Sequence, residues 1–329
     1  DALRYGNVEN IWDQLSWLWS QPMIFAFAIP LLGIAGDILP VSAGVPQRRY
    51  RLQQVAIGAL GVLSFGAFAQ PFFNPDVADQ AVFVTMGLLV VVPIFIVMGG
   101  LADTAKQGKP IISAHLILAV VGVLSLFIAS VLSIFHVSGA ALGAVQEIDD
   151  DWLNGLISWL RDVQGTVIAT AVMEHVLVAA VIGSVAGLYY WAPKIFGCRL
   201  NRKVGILAAL AFLGGLMLSG GSNAINGILD EGDEVFRSSA YDGVWETDGV
   251  EFLNILGVVG SMLLLAGAAL VLLDIVVSVL LDKGDVTDAN DPWGGHTLEW
   301  ATDSPPPAGN FLIPPVVDSE RPLLSQVVM

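Results

Sequence analysis

From Pro110 to Val137 the chain runs without a single Asp, Glu, Lys or Arg, and a stretch of that kind has few folded homes. A helix of about 20 residues crosses the hydrocarbon core of a bilayer. It satisfies its own backbone N–H and C=O groups, which nothing else in lipid can do. Comparable stretches lie at about 15–39, 52–73, 81–102, 110–137, 166–192, 204–229 and 253–281. They predict an all-α polytopic membrane bundle of seven transmembrane helices within residues 1–281. Residues 282–329 are polar and Pro-rich, and an extended cytoplasmic tail is expected there. Composition points the same way: 13% of residues are charged and 55% hydrophobic, against roughly 25% charged in soluble domains.

Basic residues sort the connections into two sides. Arg48, Arg49 and Arg51, then Lys106 and Lys109, then Lys194, Arg199, Arg202 and Lys203, with Lys283 and Arg321 in the tail, alternate with connections holding only Arg4, Arg161 and Arg237. Lys and Arg favour the cytoplasmic side, so the N-terminus is expected outside and the C-terminus inside. The outer side then carries most of the acid: Asp76, Asp79, "EIDDDW" at 147–152 and "DEGDE" at 230–234.

The net charge of −16 argues against nucleic acid as a partner, because phosphate binding needs clustered Lys and Arg. Cys198 is the sole cysteine, which excludes an internal disulfide and any site built from several thiolates of this chain. Residues 1–11 are polar, so no secretory signal is expected there. No dinucleotide fingerprint, phosphate-binding loop or nucleophile elbow is present.

Between the fourth and fifth spans, Leu153, Leu156, Ile157 and Leu160 recur at helical spacing, with Trp152 and Trp159 one heptad apart. This predicts an amphipathic helix over about 150–163, either lying on the outer interface or packed on protein. Trp12, Trp17, Trp19, Tyr189, Tyr190 and Trp191 sit near span ends, as interfacial aromatic residues do. The small residues of "GGLMLSGGSNAINGI" at 214–228 predict close helix packing.

The tail segment "DPWGGHTLEWATDSPPPAGNF" at 291–311 resembles the C-terminal signature of subunit I of the heme-copper oxidases, through Pro292, Trp293, Thr297, Leu298, Glu299, Trp300, Ser304, Pro305, Pro306, Pro307, Asn310 and Phe311. "GLYYWAPKIFG" at 187–197 is similar to the close of that family's tenth helix, and residues 10–38 to its sixth. The resemblance implies the family's sixth to twelfth helices, with the same count and orientation as the charge pattern. It also implies that the first five helices either sit on a separate polypeptide or are dispensed with.

The family holds copper with three histidines and binds two hemes, and here the resemblance implies a degenerate paralogue. Where the sixth helix of the family reads His-Pro-Glu-Val-Tyr, this chain has Gln21, Pro22, Met23, Ile24 and Phe25. The two adjacent copper histidines fall on Gln70 and Pro71, and the proton-channel lysine near Val97. The heme-propionate arginines should follow the eleventh helix, where only Arg237 is near. The heme-ligand positions of the tenth helix fall on Val172 and Glu174, or on Ala171 and Met173 in the frame one residue earlier. No copper and no heme are therefore expected in this chain. His175 is the one residue that could still serve as a low-spin heme ligand.

Glu174 and His175 remain as an intramembrane polar pair, and such groups are functional candidates. Adjacent residues on a helix do not face each other. The expectation is that each hydrogen-bonds a neighbouring helix in volume once taken by heme. Asp37 and Asp274 are expected to serve as caps or interfacial contacts, His115 and His136 as structural groups, and His296 to face solvent. Three functions compete. The first is a non-catalytic structural or accessory subunit of a respiratory electron-transfer complex, partnered by other membrane subunits and by a basic cytochrome c at the acidic outer loops. The second is half of a split heme-copper oxidoreductase that shares a low-spin heme through His175 with a chain supplying the first five helices. The third is a proton or ion pathway built on Glu174 with Asp37 and Asp274. The location expected is a prokaryotic plasma membrane, with the mitochondrial inner membrane as the alternative.

Overall fold

A computed structural model describes residues 18–69, 77–142, 151–163, 166–229, 250–281, 285–286, 290–311, 313, 315–317 and 322–323. Nine α-helices are formed by these residues: α1 Ile29–Ala43, α2 Tyr50–Ser64, α3 Val77–Leu89, α4 Val91–Gln107, α5 Ala114–Leu142, α6 Asp151–Val163, α7 Ile168–Phe196, α8 Arg202–Ile228 and α9 Val250–Ile275. A 3-10 segment, Met23–Ala28, leads into α1, and a π turn, Val276–Leu280, extends α9. The only strands among the described residues, β1 (Cys198–Arg199) and β2 (Asp285–Val286), form a two-residue antiparallel ladder. The chain is an all-α membrane bundle.

Six segments of the described residues are long and apolar enough to cross a bilayer: Met23–Ala43, Ala81–Gln107, Ala114–Gly139, Ile168–Phe196, Arg202–Ile228 and Glu251–Leu280. The sequence predicts seven, and the difference falls at 52–73. There α2 has only 15 residues and tightens into the 3-10 segment Phe65–Ala69, while 70–76 lie outside the described residues. The predicted span at 81–102 is made from two helices, α3 and α4. Pro93, near the start of α4, lacks the N–H that a continuous helix would need there.

The core lies where α1, α5 and α7 meet, with Leu31, Leu32, Leu118, Ala179 and Ile182 fully buried. α8 then bridges α7 to α9. The small residues at 214–228 do provide close approach: a Cβ on Gly215 would stand 2.8 Å from the Leu264 nitrogen and 2.9 Å from the Gly260 oxygen of α9.

Loops predicted to share a side meet at one end of the bundle. Arg48 and Arg49, before α2, lie 3.9 and 3.6 Å from Asp103 of α4, and the Arg48 N–H donates to Thr104 Oγ1. At the other end, α6 packs under α5 and α8. Trp159 rests edge-on against Phe135 and donates to the Ile228 carbonyl, while Arg161 reaches the Leu142 carbonyl. Trp152, Leu153 and Leu156 of α6 stay exposed. One face of α6 thus meets protein, and apolar groups remain on the rest.

The tail is not extended throughout, because residues 291–302 fold back onto α7. Trp293 Nε1 donates to the Tyr190 carbonyl at 2.9 Å, Trp191 Nε1 to Glu299 at 3.2 Å, and Lys194 Nζ to the Thr302 carbonyl at 2.5 Å. Trp300 is 2% exposed. His296, expected to face solvent, is buried, because the turn between Asp291 and Thr297 is folded against the bundle with Asp291 accepting from the Trp293 and Gly295 N–H groups.

Replacing Gly215 by Ala should push α8 from α9 and cost about 1–3 kcal/mol, as overpacking does. Gly214→Ala is the control, since a Cβ there meets nothing within 4 Å. Thermal unfolding in detergent should show a lowered midpoint for the first variant alone.

Candidate functional site

α7 carries Glu174 and His175 in its second turn, and the two side chains diverge as adjacent helical positions must. Glu174 points to α8. Ser219 Oγ donates to its Oε1 in a short hydrogen bond, and Asn223 Nδ2 donates to its Oε2 at 3.0 Å. Ser219 and Asn223 are four residues apart, so one turn of α8 presents both donors to one carboxylate.

His175 behaves differently. It is fully buried, and its Nδ1 pairs with the Ala171 carbonyl of its own helix at 2.8 Å. The expected bond to a neighbouring helix is not made, because the carbonyl four residues back lies within reach of the ring. Against α8 the imidazole meets Gly220, where a Cβ would stand 2.7 Å from Nδ1. Glycine is what lets the ring and the α8 backbone touch. His175 Nε2 is buried with no hydrogen-bond partner.

Further along the α8–α9 contact, Asn226 donates to Asn254 at 2.9 Å. Sequence reasoning singled out Glu174 but missed Ser219, Asn223 and Gly220. The available signal was a pair of polar residues at i and i+4 inside an apolar helix.

The other candidate residues are scattered. Asp274 is buried at the opposite end of the bundle, accepting from Tyr189 Oη at 2.6 Å, the Asn201 N–H at 3.0 Å and Ser278 Oγ at 2.9 Å. It ties α7, the α7–α8 connection and α9 together. Asp37 is exposed on α1. His115 is buried in an aromatic cluster, 4.6 Å from the Trp293 ring and 5.4 Å from that of Tyr190. His136 is half-buried on α5. Glu174, Asp37 and Asp274 are not brought together.

The residues at the implied copper positions do not fit a copper centre. Gln21 is buried, and its amide donates to the Ser133 carbonyl at 3.1 Å and to Ser133 Oγ. Ile24 and Phe25 are core residues. Imidazole suits copper and an amide does not. Gln70 and Pro71 lie outside the described residues, as do Arg237 and the acidic segment 230–249. Among the described residues no three His, Cys, Asp or Glu side chains gather as a metal site.

Val97, at the implied proton-channel position, and Ala171 and Val172, at implied heme-ligand positions, are core residues, and His175 lies just past those ligand positions. Its Nε2 is buried among protein atoms, so a heme macrocycle on it would require the helices around it to part. The group does not fit this packing.

A Glu174→Ala/Asn223→Ala double-mutant cycle on unfolding in detergent should give a coupling of about 0.6–1.7 kcal/mol, the range for hydrogen bonds between membrane helices. Additive effects would show that the pair is not formed.

No protein-family model matches the chain. Among curated proteins it is similar to cytochrome c oxidase subunit 1 of Alkalihalophilus pseudofirmus, 25% identical over 98% of this chain and 48% of that protein. It is likewise similar to cytochrome c oxidase subunit 1 of Thermostichus vulcanus, 29% identical over 95% and 52%. The heme-copper oxidase subunit I+III of Aeropyrum pernix is 28% identical over 94% of this chain and 35% of that protein. The chain is a relative of cytochrome c oxidase subunit 1 and spans about half the length of the subunit 1 proteins it matches.

Proposed function

We propose that this chain is a non-catalytic, subunit 1-like membrane protein with a structural or accessory role in a respiratory electron-transfer complex. It corresponds to the C-terminal half of subunit 1, spans a prokaryotic plasma membrane seven times with its N-terminus outside, and holds neither heme nor copper. One observation carries the reading: among the described residues at the positions implied for cofactor ligands, the polar side chains Gln21 and Glu174 are engaged in packing helices. Gln21 joins the segment before α1 to α5 through Ser133, and Glu174 joins α7 to α8 through Ser219 and Asn223. Its partners are other membrane subunits, and a basic cytochrome c is attracted by the acidic outer loops through complementary fields.

A second reading rests on His175 Nε2, the unpartnered buried nitrogen. In it, the chain is half of a split oxidoreductase and shares a low-spin heme with another polypeptide. A proton pathway has less support. Both Glu174 oxygens already accept hydrogen bonds from α8, and among the described residues no run of hydrogen bonds joins Glu174 to Asp37 or Asp274.

Purification of the complex through a tag on this chain, followed by heme spectroscopy, separates the first two readings. The accessory role predicts stable co-purification of other membrane subunits and a heme spectrum unchanged by His175→Ala. Loss of a low-spin heme band in that variant would establish the split enzyme instead.

A further inference from the structure

At the end of the bundle opposite Glu174, a cavity of about 550 Å³ opens between the start of α8 and the last turns of α9. Its polar rim includes Arg199, Arg202 and Lys203, and its walls include Val204, Leu270, Leu273 and Val277. Among the described residues no ion pair engages any of these three cations. The guanidinium of Arg199 lies 6.0 Å over the Trp293 ring, while Arg202 and Lys203 are exposed.

Two further features mark the place. Arg202 and Lys203 occupy the first turn of α8, where the helix dipole disfavours cations and favours anions. An anion between them would relieve that conflict. The opposite wall carries the π turn Val276–Leu280, a distortion often found at functional sites. The carboxylate of Asp274, the one acid in the lining, is already occupied by Tyr189, Asn201 and Ser278.

Depth selects the ligand. The rim lies where the connection after Ile168–Phe196 enters the next membrane span, Arg202–Ile228, which is the level of lipid headgroups. Below it, Leu273 and Val277 leave 60% and 41% of their surfaces open and continue the apolar wall along α9. We propose that this cavity binds an anionic phospholipid, with its headgroup phosphate held by Arg199, Arg202 and Lys203 and an acyl chain laid along Leu270, Leu273 and Val277. Basic pockets between membrane helices hold acidic lipids by this chemistry. The site rests on the helices spanning a membrane and is independent of the chain's cofactor status.

Native mass spectrometry of the detergent-purified complex tests it, with phosphatidylglycerol, phosphatidylcholine and glycerol phosphate as probes. Phosphatidylglycerol should be retained over phosphatidylcholine, and glycerol phosphate should not displace it. An Arg202→Gln/Lys203→Gln variant, changed only at exposed positions, should weaken phosphatidylglycerol binding about thirtyfold with an unchanged unfolding midpoint. Equal retention of both lipids, full binding by the variant, or displacement by glycerol phosphate would each overturn the proposal. The last would show an anion site that ignores the acyl chain.

Discussion

The rest of this bundle depends on the contact between α7 and α8, where both Glu174 oxygens are paired across the helices. A carboxylate within a membrane helix is costly. The structure retains Glu174 by giving each of its oxygens a donor from one turn of α8. That fixes the rotation of α8. Gly220 then lies against His175, and the small residues of the other face, Gly215 among them, lie against α9. Rotating α8 by one residue, about 100°, would break all three contacts together.

Asp274 closes the same arrangement at the far end, binding α7 through Tyr189 and the α7–α8 connection through Asn201. The tail adds a second clamp there through Trp293, Glu299 and Thr302. The segment with the strongest family resemblance therefore has a structural role in this chain, holding the end of α7 through ring contacts and hydrogen bonds. Its residues hold the far end of α7 from the implied ligand positions and answer to a different constraint.

Much of this was legible in the sequence. Long uncharged stretches dictate helices in lipid. The small residues of 214–228 announced a close approach. Pairings between helices were not legible: nothing local in Glu174 names Ser219 and Asn223 as its donors. The burial of His296 was missed for a related reason, since its polar neighbours read as solvated until the tail is seen docked on α7. The shortness of α2 reflects the 3-10 segment at Phe65–Ala69, which an apolar stretch does not reveal.

The central claim is that polar residues at the implied ligand positions hold helices together and hold no cofactor. The most direct measurement is the iron, heme and copper bound per copy of this polypeptide in the purified complex, with each chain identified and resolved from its partners. The account predicts none of the three on this chain. One heme iron or one copper per copy, ligated by its own residues, would contradict it.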